Sequence, residues 1–579
     1  MQQWVLLRKG ADFKGIAERF GITPRLAALI RNRNVIGDEA IDRYLNGSLK
    51  DLYDGSQMAD MNQAVLILKK KIEAGKKIRI MGDYDIDGIC STYVLLKSLT
   101  ELGAQVDDDI PDRVKDGYGL SLDLLVKAKE EGVDTILTCD NGISAYEETV
   151  WAKEEGMTVL ITDHHEVPDN LPPADAVIDP KRADCPYPFD GLCGTAVAYK
   201  LIVCLYQAFG KEPADDLIEE VGFATVGDVM DLVDENRILV KEGIKRLRRT
   251  QNPGLKALFR VTGISKESVT PYQIGCVLGP CLNASGRLDS AKRALALLLT
   301  TDPGEADRLA GDLKALNDSR KDMTQKQTAL AMEQVEEEHL LRDKVLVIDL
   351  GECHESLVGI VAGRIREKYH RPTFVLTLGE GAVKGSGRSI PAYPMVEGLR
   401  QCADLCAKYG GHAMAAGLTL APGVSVEEFR ARINETCTLS EEDLAEKVEI
   451  DMELPFSCVT EEFIASLEIM EPFGKGNPKP VFAAREVTFL SGRIIGRHQN
   501  ALKFTIRDIS GVSMDAVYFG DPKEFLNHFD EKYGPGAGEN LLKGARKDMV
   551  MQITFDPQIN EFRGVRTVQI VITHCQSGS

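Results

Sequence analysis

The sequence predicts an α/β fold built around a doubly wound parallel sheet, in a chain of several domains. Three apolar runs, KKIRIMG, VDTILTC and TVLIT, have the length and composition of buried strands. Helical segments separate these runs, and strands that alternate with helices at this spacing form parallel sheets. The length of 579 residues exceeds what one hydrophobic core holds, so several domains are expected.

The order of the predicted elements divides the chain into five segments. Three short helical patterns come first, and a stretch with almost no helix breakers, residues 304–340, predicts one long helix between two α/β units. Short strands dominate the last part, which predicts a small β-barrel with an OB-fold as the leading model. The predicted segments are an N-terminal helical cap (1–55), the parallel-sheet domain (56–265), a helical connector (266–342), a second α/β domain (343–445) and the barrel (446–579).

The charge of the chain narrows the range of functions. The net charge is −20 and the pI is about 5.1, which argues against a protein that coats nucleic acid through bulk positive charge. A local basic groove remains possible. The acidic balance also leaves room for a carboxylate cluster whose charge is offset by metal ions.

The apolar and cysteine patterns indicate a cytoplasmic protein. The sequence has no long apolar run, so no membrane helix is expected, and its first residues lack the pattern of a secretory signal. Thirteen cysteines are scattered without a C-x-x-C pair. We therefore expect reduced thiols, with neither a disulfide framework nor a structural zinc site.

Acidic residues follow each of the three apolar runs. Because the carboxyl ends of parallel strands meet at one edge of a sheet, we expect these side chains to converge on one crevice. Two of them, Asp85 and Asp87, stand two apart on a predicted turn and are expected to face the same ion. The set comprises Asp83, Asp85 and Asp87 in GDYDIDG, Asp140 in TCDNG, and Asp163, His164 and His165 in TDHH.

A single aspartate in such a place is as easily explained as a helix N-cap or a turn former. Three acidic motifs in register are harder to explain in that way, because carboxylates packed together repel one another. Carboxylate oxygens with one or two imidazoles suit Mn²⁺ or Mg²⁺ better than zinc. Two such ions, about 3.5–4 Å apart, are the usual device for hydrolysing phosphate esters.

Two further observations bear on the chemistry. Asp228 lies in the apolar, helical run GFATVGDVMDLV, where a buried carboxylate needs a metal or a hydrogen-bond partner. The sequence contains neither a phosphate-binding P-loop nor a G-x-G-x-x-G loop. Nucleotide-driven and hydride-transfer chemistry are therefore disfavoured.

The motifs GDYDIDG, TCDNGIS, TDHH and ATVGDVMDL, in this order, resemble motifs I to IV of the DHH phosphoesterases. Further stretches resemble the RecJ exonuclease branch of that family, and the resemblance covers essentially the whole chain. It implies a DHH domain, a DHHA1 domain as the second α/β unit, and an OB-like barrel. These stretches are IPDRVKDGYGL (110–120), LGPCLNASGRLDSA (278–291), HESLVGIVAGRI (354–365), KGSGRSI (384–390), YGGHAMAAG (409–417) and EPFGKGNPKPVF (471–482).

The resemblance also implies roles for individual residues. Asp85, Asp87, Asp140, His164 and Asp228 would hold two divalent ions, with Asp140 as the bridging ligand. Asp83 and Asp163 would support this set, and His165 would face the scissile phosphate. At position 81, many relatives have a histidine where this chain has Met81. The residues expected to bind DNA phosphates or bases are Arg113, Tyr118, Arg287, Ser386, Arg388, Ser389 and His412.

Residue chemistry is consistent with the phosphate-binding set. Arginine offers a planar fork of donors suited to phosphate. Arg287 follows NASG and Arg388 follows GSG, so each is expected in a turn whose amides also meet an anion. Tyr118 is suited either to stacking on a base or to packing.

Three functions compete at this point. The resemblance favours processive 5′-to-3′ digestion of single-stranded DNA to mononucleotides in DNA repair and recombination, by a monomer. Candidate protein partners are a single-strand-binding protein and a helicase. The second hypothesis is a DHH phosphodiesterase acting on short oligonucleotides or cyclic dinucleotides, although such relatives are typically shorter and lack the barrel. The third is a scaffold without activity, which the complete set of ligand motifs disfavours.

Overall fold

The structure is a computed structural model that describes residues 2–111, 117, 119–213, 215–379, 381–496, 499–545, 548–562 and 564–577. Within this part of the chain, no helix is long and apolar enough to cross a membrane. A short π-helix, Ile274–Leu278, joins two of the helices.

Helices alternate with strands in two parts of the chain, which a helical stretch (Gly194–Glu337) separates, and strands dominate the last part. The helices are α1 (Phe13–Phe20), α2 (Pro24–Asn32), α3 (Asp38–Asn46), α4 (Met61–Glu73), α5 (Ile86–Glu101), α6 (Leu122–Glu130), α7 (Tyr146–Glu154), α8 (Gly194–Ala208), α9 (Leu217–Gly227), α10 (Asp234–Leu247), α11 (Pro253–Thr262), α12 (Pro271–Gln273), α13 (Gly279–Leu288), α14 (Lys292–Leu299), α15 (Pro303–Glu337), α16 (Glu355–Tyr369), α17 (Met395–Arg400), α18 (Val426–Glu435), α19 (Glu461–Leu467), α20 (Pro522–Tyr533) and α21 (Ala537–Leu542). The strands are β1 (Gln3–Leu6), β2 (Lys77–Met81), β3 (Gln105–Asp109), β4 (Thr135–Cys139), β5 (Thr158–Thr162), β6 (Ala176–Ile178), β7 (Leu346–Asp349), β8 (Thr373–Leu378), β9 (Val383–Arg388), β10 (Cys406–Gly411), β11 (Ala415–Leu420), β12 (Lys447–Ile450), β13 (Met452–Glu453), β14 (Phe482–Ile495), β15 (Ala501–Arg507), β16 (Ser513–Phe519), β17 (Met549–Phe562) and β18 (Val565–Gln576).

The chain folds into two compact units. The first contains Met1–Gln3, Asp54–Asp228 and Gly243–Glu446, and the second contains Trp4–Tyr53, Val229–Glu242 and Lys447–Ser579. The division into five segments by sequence stays a prediction.

A parallel sheet with the strand order β3-β2-β4-β5-β6 forms the first part of unit 1. Its central strands are fully buried, which explains why they read as continuous apolar runs. Ile136, Val159 and Ile161 pack on one face of the sheet together with residues of α6 and α7. The predicted parallel, doubly wound architecture is therefore confirmed.

A mixed sheet with the order β10-β11-β9-β8-β7 forms the second part of unit 1. Side chains of β8 alternate between its two faces, as the period of a strand requires. Phe374 packs with Phe429 of α18, whereas Val375 packs on the opposite side with Val361 and Ile365 of α16. Both faces are thus covered.

The long helix predicted between the two sheets is α15, Pro303–Glu337. Asp302 caps its first turn by accepting a hydrogen bond from the backbone of Glu305. Its first half buries Leu309 and Leu313, and near its end Val335 joins the core beneath α16. The helix is therefore packed along much of its length.

Unit 2 contains the predicted barrel. The strands follow the order β13-β14-β15-β16-β18-β17, and pairing between β14 and β17 closes the barrel. Leu29 and Tyr44 of the N-terminal helices pack in the same core as Phe456 and Phe482. The N-terminal helices therefore belong to the barrel's unit.

Candidate metal centre

The parallel sheet brings the predicted ligands together at the carboxyl ends of β2, β4 and β5. His164 lies at the centre of the group. Its Nε2 atom is 3.0 Å from Oδ1 of Asp140, 3.6 Å from Oδ2 of Asp87 and 3.7 Å from Oδ2 of Asp228. The convergence expected from the strand ends is thus seen in the structure.

The carboxylates and histidines form three overlapping groups whose ligand atoms lie within 4.8 Å of one another. Asp140 and His164 are each shared by two groups, which is the arrangement expected for ligands between two neighbouring ions. The groups are Asp83, Asp85 and Asp140; Asp87, His164 and Asp228; and Asp140, His164 and His165.

Asp85 and Asp87 belong to different groups, which favours different ions for the two carboxylates over the single ion expected from the sequence. The reason is where α5 begins. Asp85 is its N-cap and accepts hydrogen bonds from the backbone nitrogens of Asp87, at 3.0 Å, and Gly88, at 3.2 Å. Asp87 already lies in the first helical turn, so the two side chains leave the backbone in different directions.

Asp87 is completely buried and is held by the N-terminus of α8. Its carboxylate accepts hydrogen bonds from the backbone nitrogen of Gly194 at 2.6 Å and of Thr195 at 2.8 Å. The hydroxyl of Thr195 also donates to it, at 2.6 Å. A helix N-terminus stabilises an anion in this way. The sequence analysis missed these two residues, although a Gly-Thr pair opening an apolar helix is a recognisable signal.

Gly194 also makes room for Asp140. A Cβ atom at position 194 would lie 2.7 Å from Cβ and 2.9 Å from Oδ1 of Asp140, closer than van der Waals contact permits. We expect Gly194→Ala to displace Asp140 and to reduce Mn²⁺ affinity by at least about tenfold, as found when groups that orient metal ligands are changed. Isothermal titration with Mn²⁺ measures this loss.

The matched control for this variant is Gly311→Ala. Gly311 lies on α15, and a Cβ atom there would meet nothing within 4 Å. We expect this control to bind Mn²⁺ like the wild type. Equal affinities in all three proteins would show that Gly194 does not position Asp140.

Asp140 sits in a strained and electrostatically costly position. Its φ of 62° is in the left-handed region, which aspartate tolerates better than most residues. Burial, together with the negative charges of Asp87 and Asp85, raises the pKa of its carboxyl well above the usual value. A cation in the site would remove this cost.

Asp163 positions the histidine pair rather than facing the cluster directly. It accepts hydrogen bonds from the backbone nitrogens of Ile143, at 2.9 Å, and His164, at 2.7 Å, and contacts Nδ1 of His165 at 2.7 Å. Burial alone would lower the pKa of His165, but the hydrogen bond and charge of Asp163 raise it to about 9. His165 is therefore largely a cation near neutral pH in the metal-free protein.

The two imidazole rings lie side by side. Their centroids are 4.5 Å apart and their planes are tilted by 56°. His164 is buried, whereas the side chain of His165 is 37% exposed. This difference is consistent with separate roles for the two histidines, which remain a prediction.

Asp228 reaches the cluster from the end of α9. Its backbone nitrogen donates to the carbonyl of Ala224 at 2.8 Å, so it closes the last turn of that helix. The C-terminal end of a helix carries a partial negative charge and disfavours a carboxylate. A nearby cation is again the simplest compensation.

Helix α13 braces the first acidic loop. Oδ1 of Asn283 accepts a hydrogen bond from the backbone nitrogen of Ile86 at 2.7 Å. A Cβ atom at Gly286 would collide with the carbonyl of Tyr84, so only glycine allows this close approach. The NASG segment therefore supports the metal loop.

Position 81 supplies no ligand. Met81 is buried in the apolar core beside the sheet, and its carbonyl accepts a hydrogen bond from the amide of Asn141 at 3.0 Å.

This edge of the sheet carries another acidic residue, which was not among the residues predicted from the sequence. Asp179 directly follows β6 and is buried, and burial raises its pKa to about 7.

Arg287 and Arg388, both expected in turns, lie in regular secondary structure. Arg287 is helical, in α13, and its Nη1 donates to the carbonyl of Ser356 at 2.8 Å. Arg388 ends β9, and its Nη1 donates to Oγ of Ser386 at 3.0 Å and to the carbonyl of Gly387 at 2.8 Å. The expected turn conformation was wrong for both, although a role in phosphate binding does not require it.

The remaining predicted DNA contacts differ in exposure. Ser389 is buried and its hydroxyl donates to the carbonyl of Tyr393, so this side chain is directed into the protein. His412 is exposed in the turn between β10 and β11. Arg113 and Tyr118 lie outside the described residues.

A cavity of about 390 Å³ opens beside Ser386 in the second sheet. Gly385, Gly410 and Gly417 line it without side chains, and Lys408 and Tyr409 stand at its wall. The cavity is large enough for part of a ligand of nucleotide size.

Three family models match the chain in order. The model of the DHH family, N-terminal domain, matches residues 77–225, that of the DHHA1 domain matches 342–439, and that of the RecJ OB domain matches 450–574. These ranges contain the parallel sheet, the mixed sheet and the barrel, respectively.

Curated relatives match over nearly the whole chain. A protein of Bacillus subtilis named single-stranded-DNA-specific exonuclease RecJ is 36% identical over 575 residues, covering 98% of this chain and 70% of the relative. Proteins with the same name in Haemophilus influenzae and Escherichia coli are 33% and 34% identical, and each match covers at least 95% of both chains.

The chain belongs to the RecJ family.

A solved structure agrees with this assignment. The crystal structure of RecJ in complex with Mn²⁺ from Thermus thermophilus superimposes with a TM-score of 0.83 at 26% identity, covering all of this chain and 80% of that one. The DHH, DHHA1 and OB domains expected from the sequence are therefore confirmed.

The donor set at the strand ends fits divalent ions. Carboxylate oxygens and imidazole are the ligands that Mn²⁺ and Mg²⁺ accept, and none of the three groups contains a thiolate. Burial and the charge of Asp87 also raise the pKa of Asp85, so that, as at Asp140, the metal-free site has a raised affinity for protons. The site therefore has a deficit of positive charge.

Metal binding should consequently release protons. Asp140 and Asp85 have raised pKa values without metal and must ionise to bind it, so we expect Mn²⁺ affinity to fall as the pH is lowered. The fall should approach about tenfold per pH unit for each proton released. Titration calorimetry in buffers of different ionisation enthalpy counts these protons. An affinity that does not fall at all as the pH is lowered would contradict the raised pKa values.

Proposed function

We propose that this chain is a single-stranded-DNA-specific exonuclease that hydrolyses phosphodiesters from the 5′ end and releases mononucleotides, using two Mn²⁺ or Mg²⁺ ions. The observation that carries the proposal is the cluster at the strand ends, in which Asp140 and His164 are each shared between ligand groups. The printed names of the relatives, single-stranded-DNA-specific exonuclease RecJ, support the substrate and the reaction.

The two ions would be held by neighbouring groups; Asp140 belongs to the first and lies 3.0 Å from Nε2 of His164 in the second. Asp83 and Asp85 would hold one ion, and Asp87, His164 and Asp228 the other, with Asp140 between them. When bound, such ions polarise the phosphoryl oxygen and lower the pKa of a water molecule.

The chain's own residues supply orientation and charge. Asp163 fixes the ring of His165 through its Nδ1 atom. The hydrogen bond and charge of Asp163 raise the pKa of His165, so Asp163 favours the imidazolium form, which can donate a hydrogen bond to a phosphate oxygen as negative charge develops there. Asp163 acts through His165 and is a positioning residue.

Phosphates of the strand would be bound on the DHHA1 side of unit 1. Arg388 and Ser386 lie together on β9, and Arg287 contacts the start of α16. Exposed His412 and the predicted residues Arg113 and Tyr118 complete the proposed set. The wider proposals are a monomer in the cytoplasm that acts in DNA repair and recombination with a single-strand-binding protein and a helicase.

Digestion of labelled DNA tests the proposal. A single-stranded oligonucleotide labelled at its 5′ end should release labelled mononucleotide at once, whereas a 3′ label should stay on progressively shorter strands. Blunt duplex DNA should resist digestion. Faster cleavage of dinucleotides than of long strands would favour the competing phosphodiesterase function, and digestion from the 3′ end would reject the proposed direction.

A further inference from the structure

Two arginines on neighbouring helices of unit 1 have no carboxylate partner among the described residues. Arg320 lies on α15 and Arg364 on α16, and these two helices pack on a shared core. Among the residues that the structure describes, neither arginine has an ion pair with an aspartate or glutamate. Neighbouring arginines on the same helices are paired, Arg308 with Asp312 and Arg366 with Glu367.

Arg320 is held in place by buried groups. Its Nε atom donates to Oδ1 of Asn317 at 3.1 Å, and Asn317 is completely buried. The amide nitrogen of Asn317 in turn lies 3.4 Å from Sγ of Cys281 on α13. This contact fixes one edge of the guanidinium group and leaves its Nη groups for another partner.

Geometry places the two positive charges near each other. Arg320 lies one turn before Met323 and Arg364 one turn after Ile360, and both of these apolar side chains pack on the core that α15 and α16 share. Burial and the positive charge of Arg364 accordingly lower the pKa of Arg320. Arg320 is partly buried and Arg364 is exposed, and like charges brought together destabilise the folded protein unless an anion offsets them. The chain has a net charge of −20, so carboxylates are abundant. Two neighbouring arginines that have no carboxylate partner among the described residues therefore point to an external anion.

The pair adjoins the proposed phosphate-binding residues. A Cβ atom at Gly359 would lie 2.8 Å from Nη2 of Arg388, and one at Gly363 would lie 3.9 Å from its Cγ. Gly363 directly precedes Arg364, so this arginine belongs to the helical turn that contacts β9 and projects from a neighbouring face of α16. Arg287 contacts the start of that helix through Ser356.

We propose that Arg320 and Arg364 form an additional subsite that binds backbone phosphates of the single-stranded substrate, beyond those bound by Arg287 and Arg388. The inference rests on the proposed function. The guanidinium fork suits phosphate oxygens, and a polyanionic strand supplies the charge that the pair lacks. The subsite recognises the backbone and therefore carries no base preference.

The test measures binding without cleavage. A fluorescent single-stranded oligonucleotide is titrated with the full chain in EDTA, at several salt concentrations, for wild type, Arg320→Gln and Arg364→Gln. We expect each variant to bind several-fold more weakly. The slope of log K against log salt should fall by about 0.7 for each phosphate that the variant no longer neutralises. With divalent ions present, KM should rise while kcat is retained.

Two further variants separate binding from structure. Arg308→Gln removes an exposed, paired arginine from the same helix and should bind like the wild type. Arg320→Lys keeps the charge and should recover part of the affinity for the oligonucleotide. Because Arg364 is exposed, its substitution should leave the thermal unfolding midpoint unchanged.

The proposal is overturned if Arg364→Gln and Arg320→Gln bind the oligonucleotide with wild-type affinity and salt slope. It is also overturned if Arg320→Gln weakens oligonucleotide binding only together with a lower unfolding midpoint, while Arg364→Gln binds the oligonucleotide like the wild type. Failure of the wild type itself to bind single-stranded DNA would instead reject the proposed function.

Discussion

Asp140→Asn is expected to abolish Mn²⁺-dependent hydrolysis and, without metal, to stabilise the fold. Asp140 is the residue through which two ligand groups meet, so its loss should lower activity by at least about 1000-fold, equivalent to roughly 4 kcal/mol of barrier. Its carboxylate is buried among other acids, which raise its pKa. A neutral amide of similar shape removes that repulsion.

The effect on stability should depend on pH in one direction. The folded chain holds the proton of Asp140 more tightly than the unfolded chain does, so the metal-free wild type loses stability as the pH rises above about 3.9. Asp140→Asn has no carboxyl group at this position, so this cause of falling stability is absent from the variant. The difference in unfolding midpoint between variant and wild type should therefore widen as the pH is raised.

Thermal unfolding with and without Mn²⁺ measures both effects. The wild type should gain stability with Mn²⁺, and Asp140→Asn should gain little or none. Asp169→Asn is the control, because Asp169 is exposed on the loop that follows the histidine pair. Undiminished hydrolysis by Asp140→Asn, or a metal-free variant less stable than the wild type, would contradict this account of the site.

His164→Ala and His165→Ala should fail in different ways. Nε2 of His164 lies between Asp140, Asp87 and Asp228, so its loss should weaken Mn²⁺ binding. The ring of His165 is oriented by Asp163 and partly exposed, so its loss should leave Mn²⁺ binding nearly intact. Turnover of His165→Ala should fall by about 10²–10⁴-fold, as expected when a positioned proton donor is removed.

Calorimetric Mn²⁺ titration and steady-state kinetics on the same preparations separate these outcomes. For His164→Ala, excess Mn²⁺ should restore part of the activity. For His165→Ala, no Mn²⁺ concentration should do so. Equal loss of metal affinity in both variants would show that His165 is itself a metal ligand. Its position in the group of Asp140, His164 and His165 is compatible with that role.

The sheet and its acidic edge could be predicted because their signals are local. An apolar run followed by a carboxylate identifies a strand end, and parallel topology then brings the strand ends together. The support of Asp87 by Gly194 and Thr195 could not be predicted in the same way. This contact joins residues more than a hundred positions apart in the sequence, and the pattern of either segment does not indicate which other segment it contacts.

The errors arose where packing overrides local preference. Asn and Gly in NASG favour a turn, yet the segment is helical. Leu282 and Ala284 are buried on α13, and Pro280 lies in the first turn of that helix, where proline is favourable. Gly286 is needed for the close approach to Tyr84, not for a turn. Asp85 and Asp87 fall in different ligand groups because α5 begins between them.

Anomalous scattering from a crystal soaked in Mn²⁺ would locate the bound ions. We expect two peaks at the carboxyl edge of the parallel sheet, one among Asp83, Asp85 and Asp140 and the other among Asp87, His164 and Asp228. Asp140 should lie within ligand distance of both peaks. The absence of any peak at this edge, or a single ion that Asp140 does not contact, would contradict this expectation.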